Sequence, residues 1–141
     1  MFGRLFKRKS KVISRDGEAD VYFPTDEEAL AEATKVAISR LPEFINRLNL
    51  EAGTYFAVKV ALPNSKNTLE HIWVDNLTHR DGKFFGKLAN SPLDIPDMKL
   101  GSDIEISEEE IEDWVLMEGD DMVGGFSIAA IDPKVDKRMR K

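Results

Sequence analysis

From Thr54 the apolar residues of this chain stop recurring at helical steps and begin to alternate. That change of period limits what the chain can fold into. Thr54, Phe56, Val58, Val60 and Leu62 fall on one side of an extended segment, with Tyr55, Ala57, Lys59 and Ala61 on the other. Pro63-Asn64-Ser65 reads as a turn. Residues 68–77 and 83–89 then form a hairpin closed near Asp81-Gly82, a pair suited to positive φ. An even-numbered loop there puts Leu69, His71, Trp73, Asp75 and Leu77 on the face of Phe84, Gly86 and Leu88. Ile72, Val74, Phe85 and Ala89 then lie opposite. Apolar residues on both faces describe a central strand covered on both sides.

Before this block the period is helical. Thr25 with Glu28 makes a capping box, and Asp26 and Glu27 suit the positive end of a helix dipole. Leu30, Ala33, Ala37, Leu41, Phe44, Ile45 and Leu48 then form one apolar stripe. Pro42 lacks the amide that would bond back to Ile38, so the helix over residues 26–48 must kink or restart there, and Gly53 ends the connection. Residues 12–23 read as a short hairpin or edge strand around Asp16-Gly17. Residues 90–103 are a loop with two prolines, and a strand resumes over 103–106. Ser107 with Glu110 is a second capping box, opening a short helical turn through Ile111 and Trp114. Gly119-Asp120-Asp121 turns the chain into a last strand over 122–131. The expected fold is α+β: one long bent helix on a strongly twisted antiparallel sheet of four to six strands. Because one helix covers only one side, the sheet is expected to be partly barrel-like.

A chain of 141 residues, 42% hydrophobic and 33% charged, fits one globular domain. It has no run of the roughly 18 apolar residues that a membrane-spanning helix needs. The absence of Cys suits a reducing cytoplasm. Charge divides the chain into a basic flexible tail over residues 1–11, a domain over 12–132 and a second basic tail over 133–141. The tails carry +5 and +4 and the body −15, which sum to the overall −6. An acidic body repels phosphate, which argues against nucleic acid and for a basic protein partner. Phe2, Leu5 and Phe6 could share one helical face beside the first cations, giving weak peripheral membrane contact. Each such cation adds only about 1 kcal/mol near an anionic surface. The plainer reading is a frayed tail.

Chemistry-bearing residues are few. His71 and Asp75 share a strand face but stand about 13 Å apart, and His71 and His79 about 26 Å, so no metal and no cofactor is expected. The acidic run Glu108-Glu109-Glu110-Ile111-Glu112-Asp113 lacks the alternating ligands and central Gly of a calcium loop and reads as a helix start. Gly124-Gly125 reads as a bulge or a close backbone approach within a strand. No nucleophile motif is present, so no catalytic residue is assigned. His71 beside Trp73 is either a general base or a histidine bonded within the structure. Asn90-Ser91-Pro92 either presents an amide and a hydroxyl beside Trp73 or Trp114, or closes an Asx-type turn.

Several pieces resemble the YegJ-like family of uncharacterised bacterial proteins, a domain of unknown function. They are Leu41-Pro42-Glu43-Phe44, Phe56-Ala57-Val58-Lys59-Val60, Glu70-His71-Ile72-Trp73-Val74 and Gly86-Lys87-Leu88-Ala89-Asn90 with Pro92. Lys99-Leu100-Gly101, Asp113-Trp114 and Gly124-Gly125-Phe126 complete the set. The resemblance spans roughly residues 26–131, with the basic ends and residues 12–23 outside it. It implies a single bacterial α+β domain and brings no activity and no site residues. The leading expectation is a non-enzymatic cytoplasmic protein-binding domain with an acidic surface, an immunity-type inhibitor being one such case. The alternative is a small-ligand-binding or hydrolytic domain with a pocket around His71, Trp73 and Asn90, with Ser91 and Trp114 beside it.

Overall fold

A computed structural model describes residues 11–13, 21–23 and 26–131. β1 (Lys11–Ile13) pairs antiparallel with β2 (Val21–Phe23), which agrees with a hairpin, while its Asp16-Gly17 tip and the capping residue Thr25 lie outside the described residues. Next come α1 (Asp26–Ser39) and α2 (Leu41–Asn49). A six-stranded antiparallel sheet follows: β3 (Tyr55–Pro63), β4 (Leu69–Arg80), β5 (Lys83–Leu88), β6 (Asp103–Ser107), β7 (Ile111–Glu118) and β8 (Asp121–Gly124). α3 (Phe126–Ile131) ends the described chain. The strand order is β6-β5-β4-β3-β7-β8, so β3 and β7, far apart in sequence, are neighbours in the sheet.

The helix restarts at Pro42. Pro42 sits in the first turn of α2, where a missing amide leaves no bond unmade. Small Ala33 and Ala37 are buried on α1, and the carbonyl of Ala37 accepts the Trp114 indole N–H at 3.0 Å. Phe44 of α2 is fully buried, with ring centroids 5.9 Å from Phe56, 6.1 Å from Phe84 and 5.1 Å from Trp114. These rings, with Val58, Val60, Val74, Leu88, Ile106 and Leu116, form the core between the helices and one face of the sheet.

Four expectations need correction. The sheet stays open rather than partly barrel-like, with β6 and β8 as its edges. β8 is only four residues long before the chain leaves for α3, and among the described residues no strand joins those edges. Secondly, the helical turn after Ser107 stops at Glu110, and Trp114 lies on a strand. Glu110 does accept the Ser107 N–H at 2.9 Å, as a capping box requires. The following residues, Ile111, Trp114 and Val115, suit a strand, and pairing with β3 overrides the local helix start.

Thirdly, the last strand ends at Gly124 instead of running through residue 131. Gly124 has φ +85, and a Cβ there would stand 2.5 Å from both the Trp114 ring and its carbonyl. The close approach expected of Gly124-Gly125 is therefore real, but Phe126 belongs to a helix. Fourthly, strict alternation fails along β4. The hairpin closes on Asp81 and Gly82, both at positive φ as a two-residue turn demands. Farther on, the β4–β5 register slips between Asp75 and Thr78. Asn76, at φ 52, belongs to this bulge, and Val74, not Asp75, pairs with Leu88. The slip sends His71, Trp73 and Asp75 to the face away from the core. Gly86 lies opposite, where a Cβ would come within 2.5 Å of the Asp75 carbonyl.

Candidate functional site

β3 and β4 part company halfway along. Their ladder runs from Pro63↔Leu69 to Val58↔Val74 and stops. Beyond that point, among the described residues, 55–57 pair only with β7, and the far half of β4 pairs only with β5. The bulge at Asn76 turns β4 aside, and the two strands form a fork. The space between the tines is a groove of about 770 Å³, floored by Leu48, Phe56 and Leu77 and walled by Tyr55, Asp75 and His79. A shallower groove of about 440 Å³ lies across the bulge, between Thr78, Phe85 and Glu105.

Charge in the fork is one-sided. Glu51 and Asp75 line it, and among the described residues no Lys or Arg does. The Tyr55 hydroxyl donates to Asp75 Oδ2 at 2.8 Å, tying one tine to the other. Burial, then the hydrogen bond to Asp75 and the charge of Asp75, push the Tyr55 phenol up to about 12. It therefore stays protonated and donating across the neutral range. At the other side His79 Nε2 lies 2.6 Å from Glu108, its ring against Phe84. Two of the four non-glycine residues at positive φ among the described residues, Glu51 and Asn76, line this groove. Such conformations cost of order 1 kcal/mol each and tend to gather at functional positions.

A second polar group is built on the outer face of the sheet. Trp73, Lys59 and Asp113 stand in a row across β4, β3 and β7. The Asp113 carboxylate is fully buried and accepts the backbone N–H groups of Trp114 (2.8 Å), Phe126 (3.0 Å) and Ser127 (2.8 Å), and the Ser127 hydroxyl. It thereby caps α3. Lys59 Nζ donates to Ser127 Oγ at 2.7 Å and lies over the Trp73 ring. Burial raises the Asp113 carboxyl despite these donors, and burial lowers the Lys59 ammonium despite the pull of Asp113 and Glu112. Both carboxylate oxygens of Asp113 accept from α3, which makes this group a buttress between helix and sheet.

The residues singled out from sequence do not meet in one cavity. His71 Nδ1 lies 2.7 Å from Glu112, which the second bulge, opposite Lys59 and Val60, pushes outward. Asn90 is exposed, and its Oδ1 accepts the Trp73 N–H at 2.8 Å, continuing the ladder past the end of β5. Ser91 is exposed in the following loop, and Trp114 is fully buried in the core. None of the five lines either groove. The acidic run expected to be a solvated helix start is also put to use: Glu108 and Glu112 hold His79 and His71, and Asp113 holds α3. Sequence reading missed Tyr55, Asn76, Lys59, Asp113 and Ser127. Lys59 inside the apolar run Phe-Ala-Val-Lys-Val-Ala was a usable signal; Ser127 offered none.

A family model described as "uncharacterized protein conserved in bacteria" (DUF2314) matches residues 27–141. The chain belongs to this family. Over 103 residues it is 32% identical to the uncharacterized protein YegJ of Escherichia coli (strain K12), covering 73% of this chain and 67% of that protein. Both agree with the resemblance drawn from the sequence, with one correction: the family match includes the basic C-terminal segment 133–141, placed outside it above. No solved structure matches. No helix among the described residues is long and apolar enough to cross a membrane.

Proposed function

We propose that this protein is a non-enzymatic binding domain of the bacterial cytoplasm whose acidic surface engages a basic protein partner. One observation carries the reading: residues 26–131 hold 21 Asp and Glu against nine Lys and Arg. A body of that sign steers cationic partners and repels anionic ones. The lining of the fork, with two carboxylates and no Lys or Arg among the described residues, points the same way. So does the bonding of the buried Asp113, whose carboxylate holds α3 to the sheet. An inhibitor that covers a basic toxin is one form such a protein takes.

The test is affinity capture with the full chain as bait, at low salt and again near roughly 0.5 M, where screening lengths fall to a few ångströms. Retained proteins should be basic, and they should be released as salt rises. Retention that ignores salt, or the absence of any basic protein at low salt, would discard the reading.

A further inference from the structure

We propose that the fork between β3 and β4 receives an extended, lysine- or arginine-bearing segment of the partner as an added β-strand. The inference rests on the reading that the partner is basic, and adds how it is held. Three observations lead to it. First, the β3–β4 ladder ends at Val58↔Val74, so among the described residues no strand lies between 55–57 and 75–79, although each tine is paired on its far side. Alternate N–H and C=O groups of both tines therefore face the groove, and unpaired strand backbone is a template for another strand. A segment entering the fork can gain a ladder on both sides, whereas one added at β6 or β8 gains only one. Those outer edges are also short, and Asp103, Glu105 and Asp121 guard them with charge.

Second, the lining of the groove suits such a segment. Its volume of about 770 Å³ lies within the range of specific binding sites. Leu48, Phe56 and Leu77 form its apolar floor on the helix side, while Asp75 stands on the outer face with Tyr55. Successive side chains of a strand point to opposite faces. An occupant alternating apolar and cationic residues would thus lay the first on the floor and direct the second toward Asp75 and Glu51. Third, the charge of the lining selects the occupant, because two carboxylates line it and, among the described residues, no Lys or Arg does.

The probe is an acetylated, amidated heptapeptide of alternating lysine and valine, titrated into the isotopically labelled full chain at low salt. Four controls accompany it: the same peptide N-methylated at alternate amides, a glutamate–valine counterpart, and the chain variants Glu51→Gln/Asp75→Asn and Glu51→Lys. With the lysine peptide, amides of 55–57 and 75–79 should shift and exchange at least about tenfold more slowly with solvent. N-methylation should weaken binding by about tenfold or more, because it removes the ladder and leaves the charge. The glutamate peptide should not bind. Glu51→Gln/Asp75→Asn should weaken binding about fivefold or more, and Glu51→Lys, on an exposed residue, guards against loss of fold in the double variant.

Equal binding after N-methylation, shifts confined to β6 or β8, or no binding by the lysine peptide would each overturn the fork proposal. The acidic-surface reading is judged separately by salt-dependent capture. Capture that is salt-sensitive but unchanged in Glu51→Lys would reject the fork and leave that reading standing.

Discussion

The two halves of the β3–β4 pair use the same strands differently. From Val58 to Pro63 the strands are laddered to each other, and their inward side chains Val58, Val60, Ile72 and Val74 are buried. Below Val58 the same strands diverge around Asn76, and a single side-chain bond from Tyr55 to Asp75 replaces the backbone ladder. The polar groups divide in the same way. Asp113, beside the closed half, has its acceptors filled by α3; Asp75, in the open half, is bonded to one hydroxyl and its own neighbour's amide. A sheet can therefore be rigid along one stretch and available along the next. One inserted residue separates the two behaviours.

The strongest way to break this contrast is to remove what both halves share. Phe44 packs against Phe56 under the fork and against Trp114 under the closed half. Phe44→Ala should cost about 3–5 kcal/mol, read as a lower urea midpoint. A cost below about 1 kcal/mol would show that the floor is not common to both.

Asp113→Ala should destabilise by about 3 kcal/mol in the same assay, because it strands the α3 amides and removes the stronger of the two carboxylates that favour the Lys59 charge. A small effect would mean that α3 is held by Phe126 and its neighbours, with the buttress dispensable.

Asn76→Val should cost about 1–2 kcal/mol, since a β-branched residue resists φ 52, while Asn76→Gly should be close to neutral. If both are neutral, the bulge has another backbone solution and the fork is softer than described.

Tyr55→Phe should cost about 1 kcal/mol or less, as Tyr55 is 42% exposed. Its phenol is raised from 10.0 to about 12 in the folded state. The folded protein therefore binds this proton more tightly than the unfolded chain does. The associated stability is whole below pH 10 and is lost as pH rises through 12. Absorbance titration should show one of the two tyrosines ionising near 12, and Tyr55→Phe should abolish that late step. Ionisation of both near 10 would remove the link between the tines.

Much of the fold was legible because local terms decide it. Alternation from Thr54, positive φ at Asp81-Gly82 and the restart at Pro42 depend on a few adjacent residues. So did the α+β class, since amphipathic helices and alternating strands must bury their apolar sides against each other. The candidate site was not legible to the same degree. His71 and Trp73 were assigned to the face of Leu88, and the assignment failed at Asn76. No local cue marks that residue as the place where two positions oppose one.

What the sequence determined alone was the set of elements whose geometry is written within a turn or a period, and the acidic balance of the body. Tertiary structure decided the register. It made Ile111–Glu118 a strand beside β3, brought Ser127 to Asp113 and Lys59, and opened the fork. The reason is that a ladder's register is a property of two strands, and the gain from pairing or separating them exists only once both are in place.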